Sequence, residues 1–249
     1  QGNPLPWVFG GLAALVVVAL IVVAGVFFIN RGGSTPVASP TEETQPLPTE
    51  EPPSSEPPTE PPSQGSGELP QPQDGRVTDS QSGISYQVPD GWKAPAYADI
   101  NGTDPAQQSW TSGVQASSQE NYEGDNDWIG NVYAGPLAEL VPYAGASGLE
   151  DTAKALFMQF STQFYEPQHT TKIVQNKAMQ IGDRQAWVLQ FQLDFTDAEK
   201  KGYKWKKENA AIVLMDRGSG QRPTLLYISV PDNLGADVAN QVLGSLKPA

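Results

Sequence analysis

The sequence predicts an α+β fold, an antiparallel sheet packed against two helices. Three observations predict it. Trp187, Leu189, Phe191, Leu193 and Phe195 stand at every second position, the period of a strand with one face in a core. Leu149, Ala153, Leu156, Phe157, Phe160 and Phe164 recur mainly at spacings of three and four, the stripe of an amphipathic helix. The order of such segments is strands, helix, four strands, helix, rather than the strand–helix alternation of a parallel sheet. A sheet of this order most simply buries one face under both helices.

These elements occupy residues 76–249, and what precedes them is of two other kinds. The first thirty residues carry no charge, and 12 of the 23 prolines lie between Pro36 and Pro72. Trp7 to Ile29 are 23 uncharged residues, seven of them valine. As a helix rising about 1.5 Å per residue they extend about 35 Å, enough for a hydrocarbon core about 30 Å thick. Helix is the one conformation in which such a segment satisfies its own backbone in lipid. Trp7 at one end and Asn30 with Arg31 at the other suit the two interfaces. The run exceeds the roughly 7–15 apolar residues of a cleaved signal peptide, and no clear A-x-A site follows it. Residues 7–29 are therefore expected to be a retained, single-pass transmembrane helix of the plasma membrane. Arg31 alone would set its C-terminal flank inside, but one charge is a weak signal. The stretch that follows has the character of an extracytoplasmic stalk, which puts the C-terminal domain outside.

That stretch, residues 30–75, reads as a disordered Pro/Glu-rich linker. Residues 34–75 hold eight acids, no base and no aromatic, with Val37, Leu47 and Leu69 as the large aliphatics. Such a composition cannot bury enough apolar surface to offset its ordering entropy. Its Pro-Pro and Glu-Pro pairs favour an extended spacer at about 3.1 Å per residue. The formal charge of −13 is thus mainly the linker's, because residues 76–249 hold 20 acids against 14 bases. An acidic balance excludes a generic nucleic-acid binder. The absence of cysteine excludes disulfides, thiolate catalysis, zinc–cysteine and iron–sulfur sites, and a lipid-modified cysteine. A single histidine, His169, argues against a histidine metal site or proton relay.

Within the domain, Ile84, Tyr86 and Val88 alternate with polar residues in a strand closed by Pro89-Asp90-Gly91. Trp110/Val114 and Trp128/Val132 mark two further strands, with a polar loop expected over 117–127. Ser147 and Glu150 have capping-box spacing at the start of the first helix, and Pro167 marks its end. Strands are expected at about 171–180, 184–195, 208–216 and 223–230, with Gly218-Ser219-Gly220 turning between the last two. Leu234, Val238, Val242 and Leu246 give the inward stripe of a closing helix.

The segment SGISYQVPDGW (82–92) resembles the opening of the PsbP-like domain, named for the extrinsic subunit P of photosystem II. In that family an early strand ends in a Pro-x-x-Trp corner. The ending YISVPDNLGADVANQVLGSLKP (227–248) is similar to the family's last strand and final helix. An anchor, a Pro/Glu stalk and such a domain together resemble actinobacterial membrane-anchored envelope proteins, among which LpqN-type lipoproteins carry a related domain. This chain departs from those in having a helix where they have a lipobox cysteine. The resemblance implies a PsbP-like sandwich over 76–249, and a non-catalytic binding or assembly module without a cofactor. It carries no site residues across.

Read for chemistry, the rest of the chain is sparse. His169 lacks the nucleophile motifs that would make it a base. Glu123, Asp125 and Asp127 alternate like calcium ligands, but Trp128 and Ala134 stand where such a loop needs glycine and a bidentate acid. Asn101-Gly102-Thr103 is a glycosylation acceptor only in a eukaryotic secretory pathway. The conspicuous feature is Lys200, Lys201, Tyr203, Lys204, Trp205, Lys206 and Lys207, a cationic and aromatic cluster at the turn between two strong strands. It reads either as a charged hairpin that protects a sheet edge or as a contact for an anionic partner, its aromatics serving as anchors. The partner classes expected are membrane lipid through the N-terminal helix and an envelope protein or anionic polymer through the turn. The functional expectation is a single-pass, non-enzymatic extracytoplasmic binding or assembly module of the cell envelope. Two alternatives stand beside it. One is a sensor ectodomain whose cytoplasmic part lies upstream of Gln1; the other is a wall-acting hydrolase using carboxylates such as Asp125, Asp127 and Glu139.

Overall fold

Apolar alternations and short apolar runs become strands of a large sheet and a small one, and the periods of three and four become helices that pack on the large sheet. The computed structural model describes residues 67–104, 106–165, 167–218 and 220–249. In chain order the elements are β1 (Arg76–Asp79), β2 (Ile84–Gln87), a one-turn helix α1 (Tyr97–Ile100), β3 (Ser112–Glu123), β4 (Asn126–Pro136) and α2 (Leu149–Gln163). There follow β5 (Thr170–Ile181), β6 (Arg184–Asp194), a short α3 (Ala198–Lys201), β7 (Lys207–Met215), β8 (Thr224–Pro231), α4 (Val238–Gly244) and β9 (Lys247–Pro248). Six strands form an antiparallel sheet in the spatial order β3-β4-β8-β7-β6-β5, and β1-β2-β9 form a second, small sheet.

The two helices do not share a face, which corrects the simplest expectation. In β7, Ala210, Ile212 and Leu214 point into the core beneath α2, while Ala211, Val213 and Met215 point into the other core. The first core takes Leu149, Ala153, Leu156 and Phe160 from α2; the second takes Ala239 and Val242 from α4 with Val77, Ile84, Tyr86 and Trp92 from around the small sheet. A strand covered on both sides reads as a continuous apolar run rather than an alternation. The runs AAIVLM in β7 and LLYISV in β8 are of that kind. β6 keeps its predicted face: Leu189, Phe191, Leu193 and Phe195 all enter the α2-side core, with Trp187 packed at its margin.

Three boundaries also differ. The polar stretch 117–127 is not a loop: β3 and β4 continue through it to a tight turn at Gly124, whose φ is 63°. The hairpin is packed as well as paired: Ser118 is buried against Asn233, and Tyr122 packs on the α2-side core. Ser147 lies in a 3-10 turn over Ala146–Gly148, one residue too early to cap, and Gly148 occupies the cap position without a side-chain bond. Glu150 instead pairs with Lys154 at 2.6 Å, one helical turn on. The compact unit begins at Gly67, with Leu69 buried at 3 % exposure, so the last part of the expected linker belongs to the fold. The anchor expected at 7–29 and the linker up to Ser66 lie outside the described residues. Among the described residues no helix is long and apolar enough to cross a membrane.

Candidate functional site

The lysine cluster sits on the connection from β6 to β7, and that connection is tightly folded. The N–H of Phe195 donates to the Lys206 carbonyl at 2.9 Å, closing its base. Inside it, α3 ends at Gly202, whose φ of 74° is left-handed and suits a residue without a Cβ. The Tyr203 N–H then turns back to the Ala198 carbonyl at 2.9 Å.

The two aromatics of the cluster lie inside the fold, Tyr203 at 8 % and Trp205 at 0 % exposure. Trp205 is stacked between two rings, Trp128 of β4 at 4.6 Å and Tyr203 at 4.5 Å, both within 8° of parallel. Tyr122 meets all three rings edge-on, and Phe195 meets Trp128 in the same way. The Tyr203 hydroxyl donates to Glu123 at 2.7 Å, and burial pushes its phenol up to about 12. Their expected role as partner-facing anchors is therefore corrected: ring area buried against aromatic neighbours inside the fold is not offered to a ligand. They are the base on which the lysines stand.

The lysines themselves remain at the surface. Lys200 pairs with Asp197 at 3.1 Å, Lys206 with Glu199 at 3.5 Å and Lys207 with Asp194 at 3.9 Å. Such exposed pairs are worth roughly 0–1 kcal/mol and leave the ammonium groups open to exchange partners. Lys201 and Lys204 have no ion pair among the described residues. The Lys201 ammonium lies 5.6 Å from the Tyr203 ring centre. The backbone of the turn is fixed from outside as well, by Gln119 accepting from the Lys204 N–H at 2.7 Å and Asp232 from the Lys206 N–H at 2.9 Å.

Beneath the stack is a buried polar group that sequence reading missed. Glu208 is 2 % exposed; its Oε2 accepts from the Trp128 indole at 3.0 Å and its Oε1 from the Ser229 hydroxyl. The chain of hydroxyls continues from Ser229 to Tyr165 and from Tyr165 to Tyr227. Beside Lys207, Glu208 reads as one more solvated acid. The signal that finds it is phase, because it stands two residues before Ala210 on the inward face of β7.

The other residues singled out from the sequence are not brought together. His169 rests its ring against Tyr165 and Phe195, with Nδ1 2.8 Å from the Pro167 carbonyl oxygen, a packing position. Asp127 accepts from the Asn121 N–H at 2.9 Å and so ties the β3–β4 hairpin, while Glu139 lies 4.0 Å from Arg222. Asp127 stands near the start of β4 and Glu139 lies past its end at Pro136, and the strand between is about 30 Å long at roughly 3.3 Å per residue, so these carboxylates cannot act on one bond. No group of three or more His, Asp or Glu side chains able to hold a metal occurs among the described residues. Beside Glu139 is an open cleft of about 540 Å³ edged by Tyr143, Asp216 and Arg222. Arg222 there donates to the carbonyls of Leu137, Ala138 and Val141, which commits it to pinning that turn.

No protein-family model and no curated protein matches the chain. In structure the chain is similar to cyanobacterial PsbP (CyanoP) from Synechocystis sp. PCC 6803, determined in solution. The sequence identity is 15 % and the TM-score 0.41, with 74 % of this chain and 96 % of that chain covered.

Proposed function

We propose that the chain is a single-pass, membrane-anchored, non-enzymatic binding or assembly module of the cell envelope, with a PsbP-like domain on an acidic spacer. Its domain meets an anionic partner, an envelope protein or a polymer, through Lys200, Lys201, Lys204, Lys206 and Lys207. The observation that supports this reading is the stacked base of the turn. Five of the chain's ten lysines are carried on one connection whose backbone is held by the Trp128–Trp205–Tyr203 stack and by Gln119 and Asp232. Charge presented on a fixed backbone loses less conformational entropy on binding than charge on a mobile loop.

Changing the five lysines to glutamine is expected to weaken capture of envelope components by the domain at least tenfold at low salt. Folding stability should change by no more than about 1 kcal/mol, because only exposed ion pairs and the Lys201 contact with the Tyr203 ring are lost. Wild-type capture should weaken with added salt. Unchanged capture by a folded variant would contradict the assignment of the turn.

A further inference from the structure

Glu208 is surrounded by donors and by negative charge, and among the described residues no cation pairs with it. Facing its carboxyl are the Trp128 indole from β4, the Ser229 hydroxyl from β8 and, through Ser229, the phenols of Tyr165 and Tyr227. Asp232, just past β8, adds a further negative charge. The nearby cations are directed elsewhere, Lys207 to Asp194 and Lys206 to Glu199, and the His169 Nδ1 is directed to the Pro167 carbonyl. Burial pushes the acid from its ordinary value up to about 8, and the bonds from Ser229 and Trp128 offset only part of that. The residue that holds Oε2, Trp128, is also the inner ring of the stack under the lysine turn. A second observation marks where the enclosure is weakest. The Trp205 indole N–H is buried without a hydrogen-bond partner among the described residues, so opening the stack to water gives that group a bond it lacks.

We propose that Glu208 is a proton-operated latch for the lysine turn: the neutral acid keeps the Trp128–Trp205–Tyr203 stack closed, and loss of its proton to solvent opens it. The O–H bond of the carboxyl breaks, hydroxide takes the proton as water, and the carboxylate left behind draws solvent in through the turn because no cation of the described residues compensates it. The direction follows from the two states. The unfolded chain releases this proton near 4.5 and the closed domain near 8, so the contribution of the neutral acid is complete below 4.5 and is lost as the pH rises through about 8. The inference uses the architecture of the turn on which the proposed function rests, but its test involves no partner, so the two can fail separately.

The test is fluorine resonance of the full chain with its six tryptophans as 5-fluorotryptophan, titrated from pH 6 to pH 10. The Trp128 and Trp205 signals, assigned by single Trp→Phe changes, should move together with a midpoint near pH 8. In Glu208→Gln both should hold their low-pH positions throughout. In Ser229→Ala, which removes a donor to the carboxylate, the midpoint should rise; this variant decides the matter if Glu208→Gln does not fold. Stationary signals in the wild type, or a titration unchanged in these variants, would overturn the latch.

Discussion

Trp205→Ala is expected to destabilise the domain by about 3–5 kcal/mol, the range for removing a large buried aromatic. Trp205 is fully buried and is the middle ring of the stack, so the change leaves Trp128 and Tyr203 each without a face-to-face neighbour. It also withdraws an edge contact from Tyr122 and one from Phe195. Against a typical domain stability of roughly 5–15 kcal/mol, such a loss brings the fold near its limit. Urea unfolding measures it, with Trp205→Phe as the comparison that keeps part of the ring contact. A cost below about 1 kcal/mol for alanine would mean that the stack does not hold the turn.

Gly135→Ala is the second large effect, expected at about 3 kcal/mol from overpacking against main chain. A Cβ on Gly135 would overlap the Ser109 carbonyl oxygen and come within 3.2 Å of the Trp110 Cα. Flexible side chains can yield to a new methyl group, but this contact is with backbone that is fixed on both sides. The Gln108 side chain donates to the Pro136 carbonyl and accepts from the Ala138 N–H, and the Thr111 N–H donates to the Ala134 carbonyl. Displacing 109–110 therefore pulls Trp110 from its place against Tyr133. Chemical denaturation of the variant checks this, and Gly244→Ala, where an added Cβ meets nothing within 4 Å, is the control expected to be near neutral.

The elements most legible in the sequence were those whose large apolar residues lie on one face. α2 has one apolar side, and β6 carries its large apolar residues on one side with only Ala186 and Val188 entering the other core, so their periods of three to four and of two stand out. The arrangement of layers was harder to read, because β7 and β8 are apolar at consecutive positions. Only the recognition that such runs need cover on both sides would have placed α4 opposite α2. The four residues of β1 and the two of β9 are too short to carry a period. At the site, local sequence put Tyr203 and Trp205 among lysines, a pattern that looks the same whether the rings point outward or inward. What turns them inward is Trp128 and Tyr122, contributed by the β3–β4 hairpin, and a contact between segments so far apart leaves no local trace.

The lysine turn, and not another part of the domain surface, is expected to meet the partner. Photo-crosslinking from intact cells tests it most directly, with one reactive side chain at Lys204 on the turn and another at Lys247 in β9. Covalent capture of a defined envelope component from position 204, lost when the other four lysines of the turn become glutamine and absent from position 247, is the predicted result. Equal labelling from both positions, or capture from 204 that survives loss of those four charges, would contradict it.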